Sequence, residues 1–216
     1  MKKKISRTQS LGEEIANAVS HGVGTLLSIA GLVVLIVAAC KNKLGPAAVV
    51  SAALYGSGLT ILYTSSSLYH SLTNKTAKKV FRIFDHCSIF LLILSSYIPI
   101  FLVVIKGALG WTMFGITVFC AVLGIVFNSI NLERWDKISQ VLYLVMGWQA
   151  LMIIRPLYRT FDTFEFTMLL LGGIAYTLGT VFYRNQKLKY MHFIWHIFVL
   201  AGSVLHYFMI LHFYMR

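Results

Sequence analysis

Residues 191–214 read MHFIWHIFVLAGSVLHYFMILHFY, twenty-four residues without a Lys, Arg, Asp or Glu. A helix needs about twenty such residues to cross a hydrocarbon core of about 30 Å. Apolar runs of similar length recur along the chain, which has 216 residues, 58% of them hydrophobic and only 12% charged. A soluble domain carries roughly 25% charged residues. The sequence therefore predicts an all-α membrane protein that crosses the bilayer several times.

Seven apolar segments are predicted to be transmembrane helices of one bundle. Their predicted ranges are 20–40, 47–71, 80–104, 108–128, 138–155, 164–183 and 191–214. The connections between them are short, so residues 20–216 are expected to form a single membrane domain. Residues 1–19 are interpreted as a basic tail and a short interfacial helix, in which Ser10 and Glu13 have capping-box spacing.

Prolines and small residues give further expectations about the bundle. Pro99 is expected to kink the third segment and Pro156 to end the fifth. Gly24 and Ser28, four residues apart, are typical of positions where membrane helices pack closely. The sequence thus predicts a tightly packed first segment and two proline-dependent irregularities.

Basic residues are unequally distributed between the two ends of the predicted helices. Thirteen of the nineteen Lys and Arg residues lie on the side of the N-terminus and six on the other side. Basic loops favour the cytoplasm, so the N-terminus is predicted to be cytoplasmic and the C-terminus outside. The net charge of +12 follows from this topology and does not indicate a nucleic-acid partner.

His192 and His196 stand four residues apart at the start of the last segment. In a helix this spacing places both imidazoles on one face, with Cβ atoms about 5–6 Å apart. Such pairs bind metal ions in other proteins, but they also occur as interfacial histidines near lipid headgroups. The spacing leaves both interpretations open, so a metal site needs a ligand from another helix.

Other segments place polar residues in the same layer, near the predicted cytoplasmic face. His70 lies near the end of the second segment, with Ser66 one turn deeper. Asp85 lies about five residues into the third segment, or ~7–8 Å along its axis, and His21 opens the first. Ionisable residues are costly in lipid, so this layer indicates a functional site.

Three histidines in this layer, His70, His192 and His196, can supply three nitrogen ligands to zinc. The fourth tetrahedral position is then left for water, as in catalytic zinc sites. Asp85 is expected to accept a proton from that water and Ser66 to form a hydrogen bond with it. The alternatives are that Asp85 pairs with the nearby Arg82 and that Ser66 bonds back to its own helix.

Three further histidines are assigned no part in the site. His86 lies about 100° around the predicted helix from Asp85, because each helical residue advances by that angle, and it is expected to face elsewhere. His206 and His212 are in the predicted outer half of the last segment and are interpreted as packing or interfacial residues.

The motifs together resemble the hemolysin III proteins, which belong with the progestin and adipoQ receptor family of seven-span proteins. In chain order they are Glu14-x-x-Asn17-x-x-x-His21, Ser66-x-x-x-His70, Asp85 and His192-x-x-x-His196. The resemblance covers essentially the whole chain. It implies a fold related to alkaline ceramidases, with zinc on the three histidines named above and the water held by the aspartate and the serine.

The resemblance also concerns the start of the first span. It implies that Glu14, Asn17 and His21 lie at the cytoplasmic mouth of that span, where we interpret them as support for the site. The family's animal receptors have a long N-terminal domain that this sequence lacks, so hormone recognition is not expected here.

Three functions remain open at this point. The protein could be a zinc-dependent hydrolase of lipid amides or esters, a cytolytic membrane protein, or a lipid sensor in which the zinc is structural. In each case the expected location is the cell membrane and the expected partner is a membrane lipid. The sequence predicts neither the substrate nor the oligomeric state, and it leaves open whether the protein is an enzyme.

Overall fold

A computed structural model describes residues 8–185 and 187–216, and within these ranges all regular structure is helical. The basic residues Lys2, Lys3, Lys4 and Arg7 of the predicted tail lie outside the described residues. The α-helices are α1 (Leu11–Lys41), α2 (Pro46–Ser71), α3 (Lys75–Pro99), α4 (Gly107–Gly147), α5 (Ile154–Thr160), α6 (Thr163–Arg184) and α7 (Met191–Met215).

The outer surface of the bundle is apolar. Leu26, Phe119 and Ile130 are between 64% and 73% exposed. Among the described residues, six helical segments are long and apolar enough to cross a membrane. Helices satisfy their own backbone hydrogen bonds, and lipid is the solvent in which so much apolar surface is stable. The chain is therefore a multi-pass membrane protein.

The fourth of these segments, Gly107–Thr160, has 54 residues. A straight helix of that length would extend about 80 Å, more than twice the hydrocarbon thickness. The backbone leaves the helical region at Asn131 (φ −160°, ψ 92°). Thr117 Oγ1 donates a hydrogen bond to Gln149 Oε1 (2.8 Å), although these residues would be about 48 Å apart in a straight helix. The chain therefore reverses at Asn131, and its two arms lie side by side.

Small residues allow α1 and α2 to approach closely, as predicted. A Cβ atom at Gly24 would lie 2.7 Å from the Tyr63 ring. The capping box is also confirmed, because the Ser10 N–H donates a hydrogen bond to Glu13 Oε2 (2.9 Å). The short N-terminal helix and the first span form one element, since α1 continues without a break from Leu11 to Lys41.

The two prolines behave differently. The α-helical pattern changes at Pro99, which is followed by a π-helical segment, Ile100–Ile105. The prediction that Pro156 ends a helix is wrong, because this residue is the third of α5 and the helix continues to Thr160. Proline is tolerated in the first turn of a helix, where no intrahelical donor is needed. The break precedes it, in the 3-10 segment Gln149–Ile153.

The packing of the helices leaves a cavity inside the bundle. α1 packs against α2 and α7, α3 against α2 and α4, and α6 against α7. A cavity of about 440 Å³ lies where α3 and the second arm of α4 face α6 and α7, and α1 and α2 also contribute to its wall. One end of this cavity, which we call the histidine end, is formed by the beginnings of α3 and α7 and the last turns of α2.

Candidate metal centre

The three predicted ligand histidines meet at the histidine end of the cavity. His70 comes from the last turn of α2, and His192 and His196 come from the first two turns of α7. One ring nitrogen of each lies within 4.8 Å of one nitrogen of each of the others. Two zinc–nitrogen bonds of about 2.0–2.1 Å span at most about 4.2 Å, so these three nitrogens could hold one metal ion after a small movement of the rings.

His70 is held by a carboxylate of α1. Its Nδ1 lies 2.7 Å from Glu14 Oε2, and Lys78 Nζ donates a hydrogen bond to the other carboxylate oxygen (2.9 Å). Because a carboxylate accepts, the hydrogen of His70 is on Nδ1 and the lone pair is on Nε2. That Nε2 is buried without a hydrogen-bond partner in the described part of the chain.

His196 is held in the same way by the backbone of α1. Its Nδ1 lies 3.3 Å from the carbonyl oxygen of Asn17 and 3.3 Å from Ser20 Oγ. A carbonyl oxygen only accepts, so this nitrogen carries the hydrogen and Nε2 keeps its lone pair. The Asn17 side chain also approaches the site, since its Nδ2 lies 3.5 Å from His70 Nδ1. Residues at the start of α1 thus orient two of the three imidazoles.

His192 is less constrained than the other two. Both of its ring nitrogens are buried and have no partner among residues 8–185 and 187–216. The start of its helix is fixed by Tyr190, which has a left-handed backbone (φ 62°). The Tyr190 N–H donates a hydrogen bond to Glu13 Oε1 (2.8 Å). Contacts with α1 therefore position the beginning of α7.

Asp85 and Ser66 line the same cavity as His192 and His196. Ser66 Oγ is buried and makes no hydrogen bond within the described ranges, so the alternative in which it bonds back to its helix is not observed. Arg82 lies 3.7 Å from Glu133 (Nη1–Oε1) and not in an ion pair with Asp85. The side chains of Asp85 and Ser66 thus remain available to a ligand in the cavity.

His21 is closer to the cluster than the sequence indicated. Its ring stacks on that of His196, with centroids 3.6 Å apart and an interplanar angle of 6°. Both of its nitrogens are buried without a hydrogen-bond partner in the part of the chain described. The sequence placed this residue at the mouth of the first span, whereas the structure places it against one of the three clustered rings.

The expectation that His86 faces away from the site is wrong. Its ring lines the cavity, as does that of His206 farther along α7. A cavity this wide borders more than one face of α3, so residues 100° apart on the helix both reach it. Angular position alone could not reveal this, because the width of the cavity depends on the packing of other helices.

A second group of potential ligands was not predicted. Asp162, Glu165 and His212 bring three ligand atoms within 4.8 Å of one another. They come from the start of α6 and the end of α7, far from the histidine end. A sequence signal existed in the capping-box spacing of Asp162 and Glu165, but the pairing of these two helix ends is a tertiary feature.

The donor set of the histidine end can hold a metal ion. It offers buried imidazole nitrogens that have no partner in the described part of the chain. The second nitrogens of His70 and His196 are hydrogen-bonded, as is usual for metal-bound histidine. Buried polar groups without partners are rare in folded proteins. Several in one place indicate a ligand.

Known proteins are similar in sequence to this chain over nearly its full length. The family model described as "Haemolysin-III related" matches residues 9–207. The chain is 42% identical to "Hemolysin-3" of Bacillus cereus, over 98% of this chain and 96% of that protein. It is 43% identical to the "Hemolysin-3 homolog" of Bacillus subtilis, over 94% of each.

A more distant similarity extends to animals. The chain is 28% identical to the human "Monocyte to macrophage differentiation factor", over 74% of this chain and 69% of that protein. No solved structure matches. The family match and the two Bacillus relatives together show the family. The chain belongs to the hemolysin III family of progestin and adipoQ receptor-like membrane proteins.

Proposed function

We propose that this protein is a zinc-dependent hydrolase that cleaves an amide or ester bond of a membrane lipid. The observation that carries the proposal is the meeting of three histidine nitrogens within 4.8 Å at one end of a cavity of about 440 Å³. Cavities of this size bind small-molecule ligands. Most of the surface that lines the cavity is apolar, which favours a lipid as the ligand.

The proposal includes a topology of seven crossings. The two arms of the 54-residue segment, which reverse at Asn131, each provide one crossing. The excess of basic residues on the side of the N-terminus favours a cytoplasmic N-terminus and an outer C-terminus. Residues 20–216 then form one membrane domain, and the histidine end lies just beneath the cytoplasmic face.

In this proposal His70, His192 and His196 bind the zinc ion. Three imidazole ligands suit zinc, and a zinc ion bound in this way polarises a carbonyl group and lowers the pKa of a water molecule to about 7. Glu14 accepts the His70 Nδ1 hydrogen and so keeps Nε2 available for the metal, while Lys78 holds the carboxylate in place. The Asn17 carbonyl group does the same for His196.

Asp85 and Ser66 act on the water and the substrate. The Asp85 carboxylate accepts the proton that the attacking water loses and later gives it to the leaving group. Ser66 Oγ, which has no partner among the described residues, forms a hydrogen bond with the same water and fixes its position. His21 closes the polar end of the cavity by stacking on His196.

The arrangement of the helices favours entry of the substrate from the lipid. α6 packs on α7 and α4 packs on α3, and the cavity lies between these two pairs. A lipid that enters sideways between them can place its acyl chain along the apolar wall while its amide or ester group reaches the histidines.

The test is hydrolysis of lipid amides and esters by the purified protein, before and after treatment with a chelator. We expect activity that chelation removes and zinc restores, and that is absent in His196→Ala. The matched control is His212→Ala, which removes a histidine from the same helix outside the cluster and should stay active. Activity that survives both chelation and His196→Ala would refute the proposal.

A second candidate function, cytolysis, is favoured by the 42% identity to the B. cereus protein named "Hemolysin-3". The two functions are separable with vesicles made only of dialkyl ether lipids, which contain no amide or carboxylic ester bond to hydrolyse. Release of a trapped dye from such vesicles would support a direct lytic activity. Release only from vesicles of ester lipids, and only with zinc, would indicate lysis through hydrolysis.

A further inference from the structure

The cavity extends well beyond the three histidines and ends near His206. This residue lies ten positions after His196 on α7, or about 15 Å along the helix axis. Its ring lines the cavity together with Tyr97, Trp148 and Tyr176. The far end of the cavity therefore contains polar side chains, although a plain acyl chain needs only apolar walls.

His206 presents a hydrogen-bond acceptor at this end. Its Nε2 lies 3.2 Å from the carbonyl oxygen of Leu169. Because a carbonyl oxygen only accepts, Nε2 carries the hydrogen and Nδ1 is left with a lone pair. No donor to Nδ1 is present within residues 8–185 and 187–216.

The neighbouring polar groups satisfy one another. Tyr176 Oη pairs with Ser203 Oγ (2.8 Å), and Trp148 Nε1 donates a hydrogen bond to Thr177 Oγ1 (3.0 Å). Tyr97 Oη donates to the carbonyl oxygen of Gly147. The Nδ1 atom of His206 is thus an acceptor to which no described residue donates at the far end.

Gly172 makes room for the His206 ring. A Cβ atom at this position of α6 would overlap His206 Cδ2. The ring therefore fits against the backbone of α6 only because residue 172 lacks a side chain. Substitutions at His206 and at Gly172 are therefore two independent ways to alter the far end of the cavity.

We propose that the far end of the cavity recognises a hydroxyl group on the acyl chain of the bound lipid, with His206 Nδ1 as the acceptor. The proposal rests on the proposed function in that an acyl chain occupies the cavity. It narrows the substrate class to lipids whose acyl chain is hydroxylated in its distal half. A charged group is not expected there, because the described residues of the wall around His206 include no charged side chain that could compensate it.

The test measures binding rather than hydrolysis. Palmitic acid and its derivatives with a hydroxyl near the carboxyl group, near mid-chain or on the terminal carbon are titrated into purified protein in lipid nanodiscs. Binding is followed by the fluorescence of Trp148 and Trp195, which line the cavity. One added hydrogen bond predicts roughly three- to tenfold tighter binding of a chain hydroxylated in its distal half than of palmitic acid.

Two variants test whether His206 is responsible. His206→Phe keeps an aromatic ring without the acceptor, and Gly172→Ala displaces the ring while keeping the histidine. Both should bind palmitic acid and lose the preference for the hydroxylated chain. His212→Phe is the control, because it replaces a histidine of α7 that does not line the cavity. Size-exclusion profiles identify any variant that does not fold. If one of the two does not fold, binding by the other shows whether His206 is responsible.

Three results would overturn the inference. They are equal binding of plain and hydroxylated chains by the wild type, a preference that survives in a folded His206→Phe or Gly172→Ala variant, and the absence of binding by any of these acids. A protein that shows the preference but hydrolyses no lipid would refute the proposed function and leave the recognition of the hydroxyl group standing.

Discussion

Each of two ends of the same bundle brings three potential metal ligands within 4.8 Å of one another, but the two ends differ in which ligand atoms lack a protein partner. At the histidine end, His70 Nε2 and both nitrogens of His192 are buried without a partner in the described residues. At the other end, which we call the carboxylate end (Asp162, Glu165, His212 and Arg216), the ligand atoms contact protein groups.

The Glu165 carboxylate shows this contrast most clearly. The side chain is fully buried, and Oε1 accepts from Arg216 Nε (2.9 Å) and lies 3.2 Å from His212 Nδ1. Its Oε2 accepts from the Asp162 N–H (3.0 Å). An arginine placed on this oxygen already neutralises the carboxylate and would repel a cation. Proximity of ligand atoms is therefore weaker evidence for a metal site than the absence of protein partners.

The largest expected difference between the two ends is in metal content. We expect His192→Ala to retain less than about a tenth of the zinc of the wild type, because only two of three ligands remain. His212→Ala should keep the full amount. Elemental analysis of protein purified in detergent, after exposure to zinc and removal of the excess, measures both. Equal zinc content in the two variants would mean that the histidine end and the carboxylate end do not differ in metal binding.

The next effect concerns the carboxylate that orients His70. Glu14→Gln keeps the shape of the side chain but removes the charge that accepts the His70 Nδ1 hydrogen, so zinc affinity should fall by about 10–100-fold. The control is Glu133→Gln, which removes a carboxylate paired with Arg82 at an exposed position. Competition with a fluorescent zinc chelator gives the affinities. An unchanged affinity in Glu14→Gln would mean that the hydrogen bond to His70 is irrelevant to the metal.

At the carboxylate end we expect a change of stability and not of metal content. Arg216→Met deprives the buried Glu165 carboxylate of its guanidinium partner and should lower the free energy of unfolding by about 1–3 kcal/mol. Arg159→Met is the control at an exposed position and should change it by less than about 0.5 kcal/mol. Thermal unfolding in detergent measures the difference. A loss of zinc in Arg216→Met would contradict the assignment of the metal to the histidine end.

Some features of the candidate site could be predicted from the sequence and others could not. The depth of His70, His192 and His196 in the membrane follows from the segment boundaries and the helical repeat, and the structure does bring these residues together. Their roles as ligands remain a prediction. The same reasoning missed the cavity-lining position of His86, because the width of the space beside α3 depends on α4 and α6.

The sequence also did not predict how sharply the chain reverses or which helix ends contact each other. The sequence predicted a loop over residues 129–137, whereas the structure needs little more than the single non-helical residue Asn131 to turn the chain. It did not predict the Glu165–Arg216 pair, since nothing local to either segment indicates that the beginning of α6 faces the end of α7. Depth is encoded within a segment, while such contacts arise only when segments pack.

The smallest expected effect separates charge from hydrogen bonding at the carboxylate end. Asp162 precedes α6, and its Oδ1 accepts from the Glu165 N–H (2.9 Å). This backbone hydrogen bond, followed by the nearby His212 and Arg216 charges, lowers the pKa of the exposed Asp162 carboxyl. Because the pKa is lower in the folded protein, the stabilisation is complete above the ordinary value of about 3.9 and is lost as the pH falls through the lowered pKa.

Asp162→Asn keeps the accepting oxygen but cannot titrate, whereas Asp162→Ala loses both properties. We expect the difference in melting temperature between the wild type and the Asn variant to shrink below pH ~4, because the wild-type carboxyl is then protonated. The Ala variant should be the least stable of the three at neutral pH, since it also loses the helix cap. If the difference between wild type and Asn is the same at all pH values, the charge of Asp162 does not contribute, and only its hydrogen bond to Glu165 fixes the start of α6.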